Sequence, residues 1–334
     1  MTERTLSFRQ DNGVQLRFAG QVIRIEGDIE FNMDTLRELS ESVTEMTIDQ
    51  RFSNEAAIPR VVYSRADDVG VQYDRDADTL HLSGPARNFG RGTSLVYLAE
   101  YLAACTLAER QGDFLTHAAA TYNPETDCSQ ILFGEKGAGK TTLAIRVCKE
   151  GGHQIIGNDQ VYIGSNAGII HTTGGNAWFN IRRTAITSDD YLEQIITTRD
   201  SISEKPAWND KIRITPEQLG IVHKIGKVVV GNIFHVRIDH TQDTLHIAPW
   251  GGIQQNLILH ERLGRHISGQ ATPLQDDAGN YLGSLPLIKH EATMKRRDEL
   301  VKHISNMGIT EVFAPDGASA TRYILEHGGG HKVC

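Results

Sequence analysis

The chain of 334 residues contains no apolar run of about 18 or more residues, the length that a membrane-spanning helix requires. Its polar start, MTERTLSFRQDNG, also lacks the apolar centre of a secretory signal. We therefore expect a globular protein with a cytoplasmic location and no association with membranes.

Cysteine is scarce as well, and positive charge is not in excess. The four cysteines show no CxxC pair and no metal-ligand spacing, which favours reduced thiols over a disulfide framework. The formal net charge of −8 predicts no non-specific binding of nucleic acid. The composition leaves the oligomeric state open, a homo-oligomer included.

Short stretches of alternating apolar and polar residues dominate the N-terminal part of the chain. This period of two predicts β-strands, with one helix over about 33–47 between them. The acidic turn DRDAD at 74–78 lacks the glycine and the distal glutamate of an EF-hand loop, so we predict no calcium site there. We expect residues 1–90 to form a β-rich α+β domain that takes part in substrate recognition. The predicted strands lie at 5–8, 14–18, 22–25, 60–63, 69–73 and 79–82.

Helix and strand patterns alternate beyond a polar, glycine-containing linker at 85–92. This alternation predicts an α/β domain over 91–327, followed by a flexible tail at 328–334. The polar stretches at 200–217 and 268–286 are expected to be irregular. The predicted helices lie at 94–110, 141–150, 252–267, 291–307 and 317–327, and the predicted strands at 129–133, 154–156, 227–238 and 309–313.

The most specific motif is GEKGAGKTT at 134–142, which follows a predicted strand and precedes a predicted helix. It satisfies G-x-x-x-x-G-K-[ST], a loop that binds the phosphates of a nucleotide. Its amides would surround the β-phosphate, Lys140 would reach the β and γ oxygens, and Thr141 would bind Mg²⁺. Lys136 does not fit the KGGxGK pattern of ParA-like ATPases, so its side chain is expected to be solvated. The residues predicted to bind the nucleotide are Gly134, Glu135, Lys136, Gly137, Ala138, Gly139, Lys140, Thr141 and Thr142.

An acidic residue follows this loop after only one predicted helix and one predicted strand. This residue, Asp159 in the stretch GGHQIIGNDQVYI, would lie beside the phosphates that Lys140 and Thr141 bind. An acid at that position either binds the metal ion or accepts the proton of an attacking hydroxyl group. The alternative is a turn residue, because Gly-Asn-Asp-Gln has the composition of a tight turn.

FLTHAAA around His117, the loop GEKGAGKTT and the stretch RVCKEGGHQIIGNDQVYI together resemble the core of the HPr kinase/phosphorylase family and its wider kinase relatives. That family shares its fold with phosphoenolpyruvate carboxykinases. The resemblance covers about residues 94–165 and fades into a general α/β match out to about 327. It implies a P-loop kinase domain of that type and ATP- and Mg²⁺-dependent phosphoryl transfer to a hydroxyl group, often a serine of a protein or peptide.

The resemblance also implies roles for individual residues. Lys140 and Thr141 match the family's phosphate and magnesium binders, Asp159 matches the second of two adjacent acids, and His117 matches a histidine beside them. We therefore predict catalytic roles for Asp159, His117 and Lys140, and metal binding by Thr141 and Asp159. For His117 the alternative is a structural histidine in an apolar core.

The chain departs from that family at two places. Asn158 stands where the family has the first acid, and an amide cannot accept a proton, so Asp159 or His117 would have to serve as the base. The glutamate-arginine-glycine signature of HPr kinases proper is replaced by TTGGNAWFNIRRTAI. We therefore expect a divergent member whose acceptor is not HPr.

Other charged residues are weaker candidates. Arg182 and Arg183 either neutralise transferred charge or are solvated at the start of a helix. Lys205, Lys211 and Arg213 lie in a polar segment that either closes over a substrate or is solvated. A third cluster consists of His235, Asp239 and His240. It lacks a third metal ligand in register, so we predict no metal site there.

The sequence thus predicts a kinase that binds ATP and Mg²⁺ at 134–142 and uses Asp159, oriented by His117, to deprotonate a hydroxyl-bearing substrate. The acceptor is a peptide, a protein or a small molecule. Two alternatives stay open: a nucleotide-binding regulator or assembly NTPase without an acceptor and, among enzymes, a metabolite or nucleoside kinase. The residues do not distinguish ATP from GTP as the donor.

Overall fold

The structure, a computed structural model, describes residues 13–29, 31, 34, 36, 46–49, 58–89, 92–176, 178–196, 210–264, 273–285 and 291–328. These residues form a mixed α/β structure with several separate sheets. Contacts divide the chain into two compact units, the first formed by 1–111 with 264–293 and the second by 112–263 with 294–334. Over the described residues, no helix combines the length and the apolar character needed to cross a bilayer.

The first unit is built on a six-stranded sheet with the strand order β3-β1-β2-β4-β6-β5. Strands β2, β4 and β6 run parallel to one another, whereas the pairs at both edges are antiparallel. A hairpin of β17 and β18 belongs to the same unit. The strands are β1 (Gly13–Phe18), β2 (Gln21–Gly27), β3 (Thr47–Asp49), β4 (Arg60–Arg65), β5 (Gly70–Asp74), β6 (Thr79–Gly84), β17 (Pro273–Gln275) and β18 (Tyr281–Ser284).

One long helix covers this sheet. After the short helix α1 (Ala86–Phe89), α2 (Thr93–Arg110) packs on β1, β2 and β4, and all of its residues from Ser94 to Ala108 except Tyr97 are buried. Each fully buried Leu or Ile contributes about 1.5–3 kcal/mol of transfer free energy, so this interface stabilises the unit substantially. The sheet residues that are at most 1% exposed include Leu16, Phe18, Ile23, Ile25, Val61, Tyr63, Leu80 and Leu82.

The second unit is built on a nine-stranded sheet whose main path is β10-β8-β9-β15-β12-β11-β7. Strand β15 is parallel to β9 and to β19, and β16 pairs with β19 in antiparallel fashion. The strands are β7 (Phe114–Thr116), β8 (Ala119–Asn123), β9 (Cys128–Phe133), β10 (Gln154–Gly157), β11 (Val161–Asn166), β12 (Ile169–Gly175), β15 (Val228–Ile238), β16 (His246–Trp250) and β19 (Ile309–Ala314). A separate two-stranded sheet is formed by β13 (Phe179–Arg182) and β14 (Lys211–Ile214).

Helices α3 and α8 pack against each other and join the apolar core on one side of this sheet. Asp316 caps α8, because its carboxylate accepts a hydrogen bond from the Ser319 N–H at 2.7 Å. Arg146 on α3 forms ion pairs of 2.7 Å with Glu150 and Asp189, and Asp189 in turn caps α5. The helices of this unit are α3 (Lys140–Gly151), α4 (Arg183–Thr187), α5 (Asp190–Ile195), α6 (Ile253–Gly264), α7 (Glu291–Met307) and α8 (Gly317–His327).

The predicted α/β character and most of the predicted strands and helices are confirmed within the described residues. The hairpins β11–β12 and β17–β18 were not predicted, because their polar residues and glycines resemble loop sequence. The predicted strand 5–8 lies outside the described residues, as does most of the predicted helix 33–47. The two compact units also divide the chain differently from the predicted domains 1–90 and 91–327, since α2 belongs to the first unit.

The oxidation state of the cysteines differs from the prediction at one position. Cys105 and Cys148 are free and buried, and burial raises the pKa of the Cys105 thiol to about 12. Cys128 is disulfide-bonded. The prediction of four reduced thiols is therefore wrong at Cys128, where scattered spacing in the sequence gave no indication of a bond.

Candidate functional site

The directions of three strands bring three separate segments to one edge of the second unit's sheet. Strand β9 ends at the loop 134–139, and β10 runs in the same direction because both are antiparallel to β8. The residues that follow β10, Asn158 and Asp159, therefore lie at the same edge as the loop. Strand β8 starts at that edge, just after His117. The topology thus explains why residues that are distant in sequence meet here.

The loop 134–139 connects β9 to α3, and two of its glycines are required by packing. Gly139 precedes the helix with φ at 91°, and a Cβ there would lie 2.5 Å from the Cδ1 of Ile238. A Cβ at Gly134 would lie 2.6 Å from the Val236 carbonyl oxygen. Ala138 is fixed from the same strand, because its carbonyl accepts a hydrogen bond of 3.0 Å from the Ile238 N–H. Strand β15 therefore supports the loop from beside it.

Lys140 is only 6% exposed and is directed back over the loop. Its ammonium group donates hydrogen bonds to the carbonyl oxygens of Gly134, at 2.9 Å, and Glu135, at 3.0 Å. Burial, followed by the positive charge of Arg262, lowers the pKa of Lys140 to about 8. The carboxylates of Asp159 and Glu135 oppose that shift. Lys140 is thus a buried cation whose hydrogen bonds go to neutral carbonyl groups.

Thr141 and Asn158 form a hydrogen-bonded pair at the start of α3. The Thr141 hydroxyl donates to the Asn158 Oδ1 at 3.0 Å, and the Asn158 Nδ2 donates to the Trp178 carbonyl at 3.1 Å. Asn158 is fully buried. Both ends of its amide are therefore used, and a carboxylate at this position would have no hydrogen to offer the Trp178 carbonyl.

Asp159 lies beside His117, with 3.6 Å between the Asp159 Oδ1 and the His117 Nε2. Both side chains are about one-third exposed, at 33% and 38%. Burial raises the pKa of Asp159, but contact with His117 and the charges of Lys140 and Lys211 outweigh it, so the net shift is downward. Asp159 is therefore ionised at neutral pH. Its φ of 66° is in the left-handed region, which Asp tolerates better than most residues.

Two further glycines, Gly157 and Gly175, allow two strands to approach closely beside Asn158 and Asp159. A Cβ at Gly157, the last residue of β10, would lie 2.7 Å from the Gly175 Cα and 2.8 Å from the Gln160 carbonyl oxygen. At Gly175 a Cβ would lie 2.4 Å from the same carbonyl oxygen. The backbones of β10 and β12 are therefore in direct contact next to Asn158 and Asp159.

Arg262 on α6 is the residue at this site that the sequence analysis missed. Its guanidinium group donates to the Gly134 carbonyl at 3.0 Å and forms an ion pair of 2.6 Å with the Glu135 carboxylate. The Arg262 side chain is 14% exposed, whereas that of Glu135 is 76% exposed. The stretch HERLGRH around Arg262 reads as the end of an ordinary helix, so no local signal connects it with the loop.

The remaining predicted residues differ in their exposure to solvent. Lys136 and Gly137 are exposed at the tip of the loop, and Thr142 is buried in the first turn of α3. Lys211 lies on β14 and contributes to the positive charge around Asp159. Lys205, a candidate from the same polar segment, lies outside the described residues.

The weaker candidates make structural contacts. Arg183 pairs with Asp210 at 3.1 Å, and Arg213 lies over the Trp178 ring at 5.3 Å. His235 stacks on Trp250, with ring centroids 4.2 Å apart. In the part of the chain that the structure describes, no group of three or more His, Cys, Asp or Glu residues could hold a metal ion.

Comparison with models of known protein families gives no match for the chain. A comparison with curated proteins gives no match either.

Proposed function

We propose that this chain is a kinase that transfers the γ-phosphate of ATP to a hydroxyl group, with a P-loop domain of the HPr kinase and phosphoenolpyruvate carboxykinase type. The observation that carries the proposal is the meeting of a phosphate-loop lysine, Lys140, with an ionised carboxylate, Asp159, at one sheet edge. A carboxylate beside such a loop can bind Mg²⁺ or accept the proton of an attacking hydroxyl group.

ATP would bind with its β-phosphate inside the loop 134–139 and its terminal phosphate near Lys140. The start of α3 adds the partial positive charge of a helix N-terminus. Lys140 now hydrogen-bonds to two carbonyl groups, and phosphate oxygens would offer it stronger, charge-assisted bonds. ATP would therefore draw the ammonium group from the loop carbonyls to the phosphates.

The residues beside the loop fit Mg²⁺. This ion prefers oxygen ligands and usually keeps several waters while binding one or two protein groups together with the phosphates. The Thr141 hydroxyl donates its hydrogen to Asn158, which leaves oxygen lone pairs free, and Asp159 offers a carboxylate. Thr141 and Asp159 would hold the ion. When bound, Mg²⁺ would neutralise part of the negative charge of the β- and γ-phosphates.

Asp159 would accept the proton of the acceptor hydroxyl, and His117 would orient the carboxylate. The lowered pKa keeps Asp159 in its basic form at neutral pH. Part of its side chain is exposed, so an acceptor can approach it. Lys211 adds a positive charge nearby that would favour a phosphorylated product. The acceptor is a hydroxyl-bearing peptide, protein or small molecule, and residues 1–90 would contribute to its recognition.

A second function is supported by Asn158. A regulatory or assembly NTPase needs no acceptor, and the amide at a position where related kinases have an acid would weaken metal binding or proton transfer. The full burial of Asn158 and its bond to the Trp178 carbonyl make this amide an integral part of the fold. The two functions differ in their products: a kinase yields a phosphorylated acceptor, whereas an NTPase yields only ADP and phosphate.

The test is incubation of the protein with γ-labelled ATP and Mg²⁺ in the presence of fractionated lysate, followed by mass analysis of the labelled products. We expect label in a hydroxyl-bearing acceptor and none with the Lys140→Met variant. Lys149→Met is a matched control, because Lys149 lies on the same helix but bonds to the Leu219 carbonyl. Label released only as inorganic phosphate would replace the kinase by the NTPase, and full transfer by Lys140→Met would remove the loop from the mechanism.

A further inference from the structure

Two cations share one carbonyl oxygen at the base of the loop. The Lys140 Nζ lies 2.9 Å and an Arg262 guanidinium nitrogen 3.0 Å from the oxygen of Gly134. The two nitrogens are therefore no more than about 6 Å apart, a separation at which like charges still repel appreciably outside bulk water. Both side chains are largely buried.

The carboxylates that could neutralise this pair of cations are partly or largely exposed to solvent. Glu135 forms an ion pair with Arg262, but its carboxylate is 76% exposed and its attraction is screened by solvent. Lys140 is left with two carbonyl groups as its hydrogen-bond acceptors. Asp159 adds a second carboxylate near Lys140, but its side chain is also partly exposed, at 33%. The two buried cations therefore form a site that a multiply charged anion would stabilise.

We propose that Arg262 is a second binding residue for the terminal phosphate of ATP, acting from the same chain beside Lys140, and that Glu135 is its partner when no nucleotide is bound. The inference rests on the proposed function, because it concerns the phosphates of the same nucleotide. Arg262 has five N–H donors and uses one on Gly134 and one on Glu135, so it can contact phosphate while it still holds the loop.

The position of Arg262 decides which phosphate it would contact. Lys140 reaches the β and γ oxygens in loops of this type, and Arg262 approaches Lys140 from the first two loop residues, Gly134 and Glu135. The start of α3, at the opposite end of the loop, would surround the β-phosphate. Arg262 would thus face the γ-phosphate of bound ATP, and its removal should weaken ATP binding more than ADP binding.

The experiment compares the affinities of MgATP and MgADP by titration calorimetry for the wild-type chain and Arg262→Met. We expect Arg262→Met to weaken ATP binding by roughly 10- to 100-fold, the effect of one charge-assisted contact, and ADP binding by less than about threefold. Arg322→Met, on the exposed face of α8, is the matched control and should change neither value. Thermal unfolding of each variant shows whether it is folded.

Glu135→Gln provides an independent test if Arg262→Met does not fold. Without its carboxylate partner, Arg262 is freer to bind phosphate, so the ratio of ATP affinity to ADP affinity should rise by roughly two- to fivefold. An unchanged or lower ratio would overturn the inference. An equal loss of both nucleotides in Arg262→Met would also overturn it, because Arg262 would then only hold the shape of the loop. If the wild-type chain binds neither nucleotide, the proposed function itself fails.

Discussion

Helix α2 in the first unit and helix α3 in the second begin in the same way, each after a glycine in the left-handed conformation. The φ of Gly92 is 75° and that of Gly139 is 91°. At the start of α2, the Asp277 carboxylate accepts a hydrogen bond of 3.1 Å from the Ser94 N–H. Among the described hydrogen bonds, no side-chain carboxylate accepts from the amides of residues 140–142.

This difference shows how one local design serves two purposes. The Asp277 carboxylate, from the same unit, binds at the positive end of α2, so this helix start needs no external anion. The start of α3 has Lys140 and Thr141 around it instead, and the proposed anion there is the phosphate of a nucleotide. The predictions below change one helix start or the other and compare the results.

The largest expected effect is on the base beside α3. Asp159→Asn should lower the rate of phosphoryl transfer by roughly 100- to 10,000-fold, because the amide cannot accept the acceptor's proton. The matched control is Asp127→Asn, since Asp127 is also left-handed, with φ at 56°, but lies in the turn between β8 and β9 at the opposite edge. Steady-state rates under saturating ATP would measure both. Equal rates for the two variants would exclude Asp159 as the base.

The second prediction makes the same core change in each helix. Leu102 in α2 and Leu143 in α3 are both fully buried, so each Leu→Ala variant should lose about 2–5 kcal/mol of unfolding free energy. Leu143→Ala should also weaken ATP binding several-fold, because α3 carries Lys140 and Thr141. Leu102→Ala should leave it unchanged. Denaturant unfolding and ATP titration below the unfolding temperature test this contrast, and weaker ATP binding by Leu102→Ala would contradict it.

The third prediction places a carboxylate near the start of α3, as Asp277 provides for α2. Asn158→Asp should cost roughly 1–3 kcal/mol of unfolding free energy, because the new carboxylate is buried and cannot donate to the Trp178 carbonyl. Chemical denaturation measures the cost, with Asn158→Ala as the control that removes the amide without adding charge. A variant as stable as the wild type would show that the amide is not required.

The fourth prediction concerns pH. Because the pKa of Lys140 in the unbound protein is about 8, ATP must restore the ammonium form when it binds at higher pH. The dissociation constant for ATP should therefore rise above pH 8 by up to about tenfold per pH unit, and stay nearly constant between pH 6.5 and 7.5. Lys140→Arg remains charged and should lack this rise. A flat wild-type profile up to pH 9.5 would contradict the role of Lys140.

The smallest expected effect is at the start of α2. Asp277→Asn should lower the unfolding free energy by about 1 kcal/mol, because a neutral acceptor replaces a carboxylate at the positive end of a helix. ATP affinity should not change. Differential scanning calorimetry and ATP titration would measure the two quantities, and a loss of ATP affinity would refute the separate roles assigned to the two helix starts.

The parts of the fold that were predictable depend on short-range pattern. Strands such as β1 and β9 and helices such as α2 and α3 follow from periodicity, and the loop 134–139 follows from its glycines and lysine. Asp159 was predicted from its position after a single helix and strand. Its closeness to His117 came from the family resemblance, since their contact depends on the directions of three strands.

The parts that were not predictable depend on long-range contact. Arg262 reaches the loop from a helix far along the chain, and no local pattern indicates that. The same holds for the Trp178 carbonyl, whose bond to Asn158 gives that residue a structural reason to be an amide. The family resemblance suggested a missing acid at this position, whereas the hydrogen bonds supply a use for each end of the Asn158 side chain.

The contact between Gly157 and Gly175 has a consequence for how variants of this chain would be tolerated. Because a Cβ at Gly157 would lie only 2.7 Å from the Gly175 Cα, any side chain at either position would push β10 away from β12 and carry Asn158 and Asp159 with it. In a saturation mutagenesis library, both glycines should therefore be as intolerant as the residues that perform chemistry. Gly175 would stand out as essential although it has no side chain to offer a substrate.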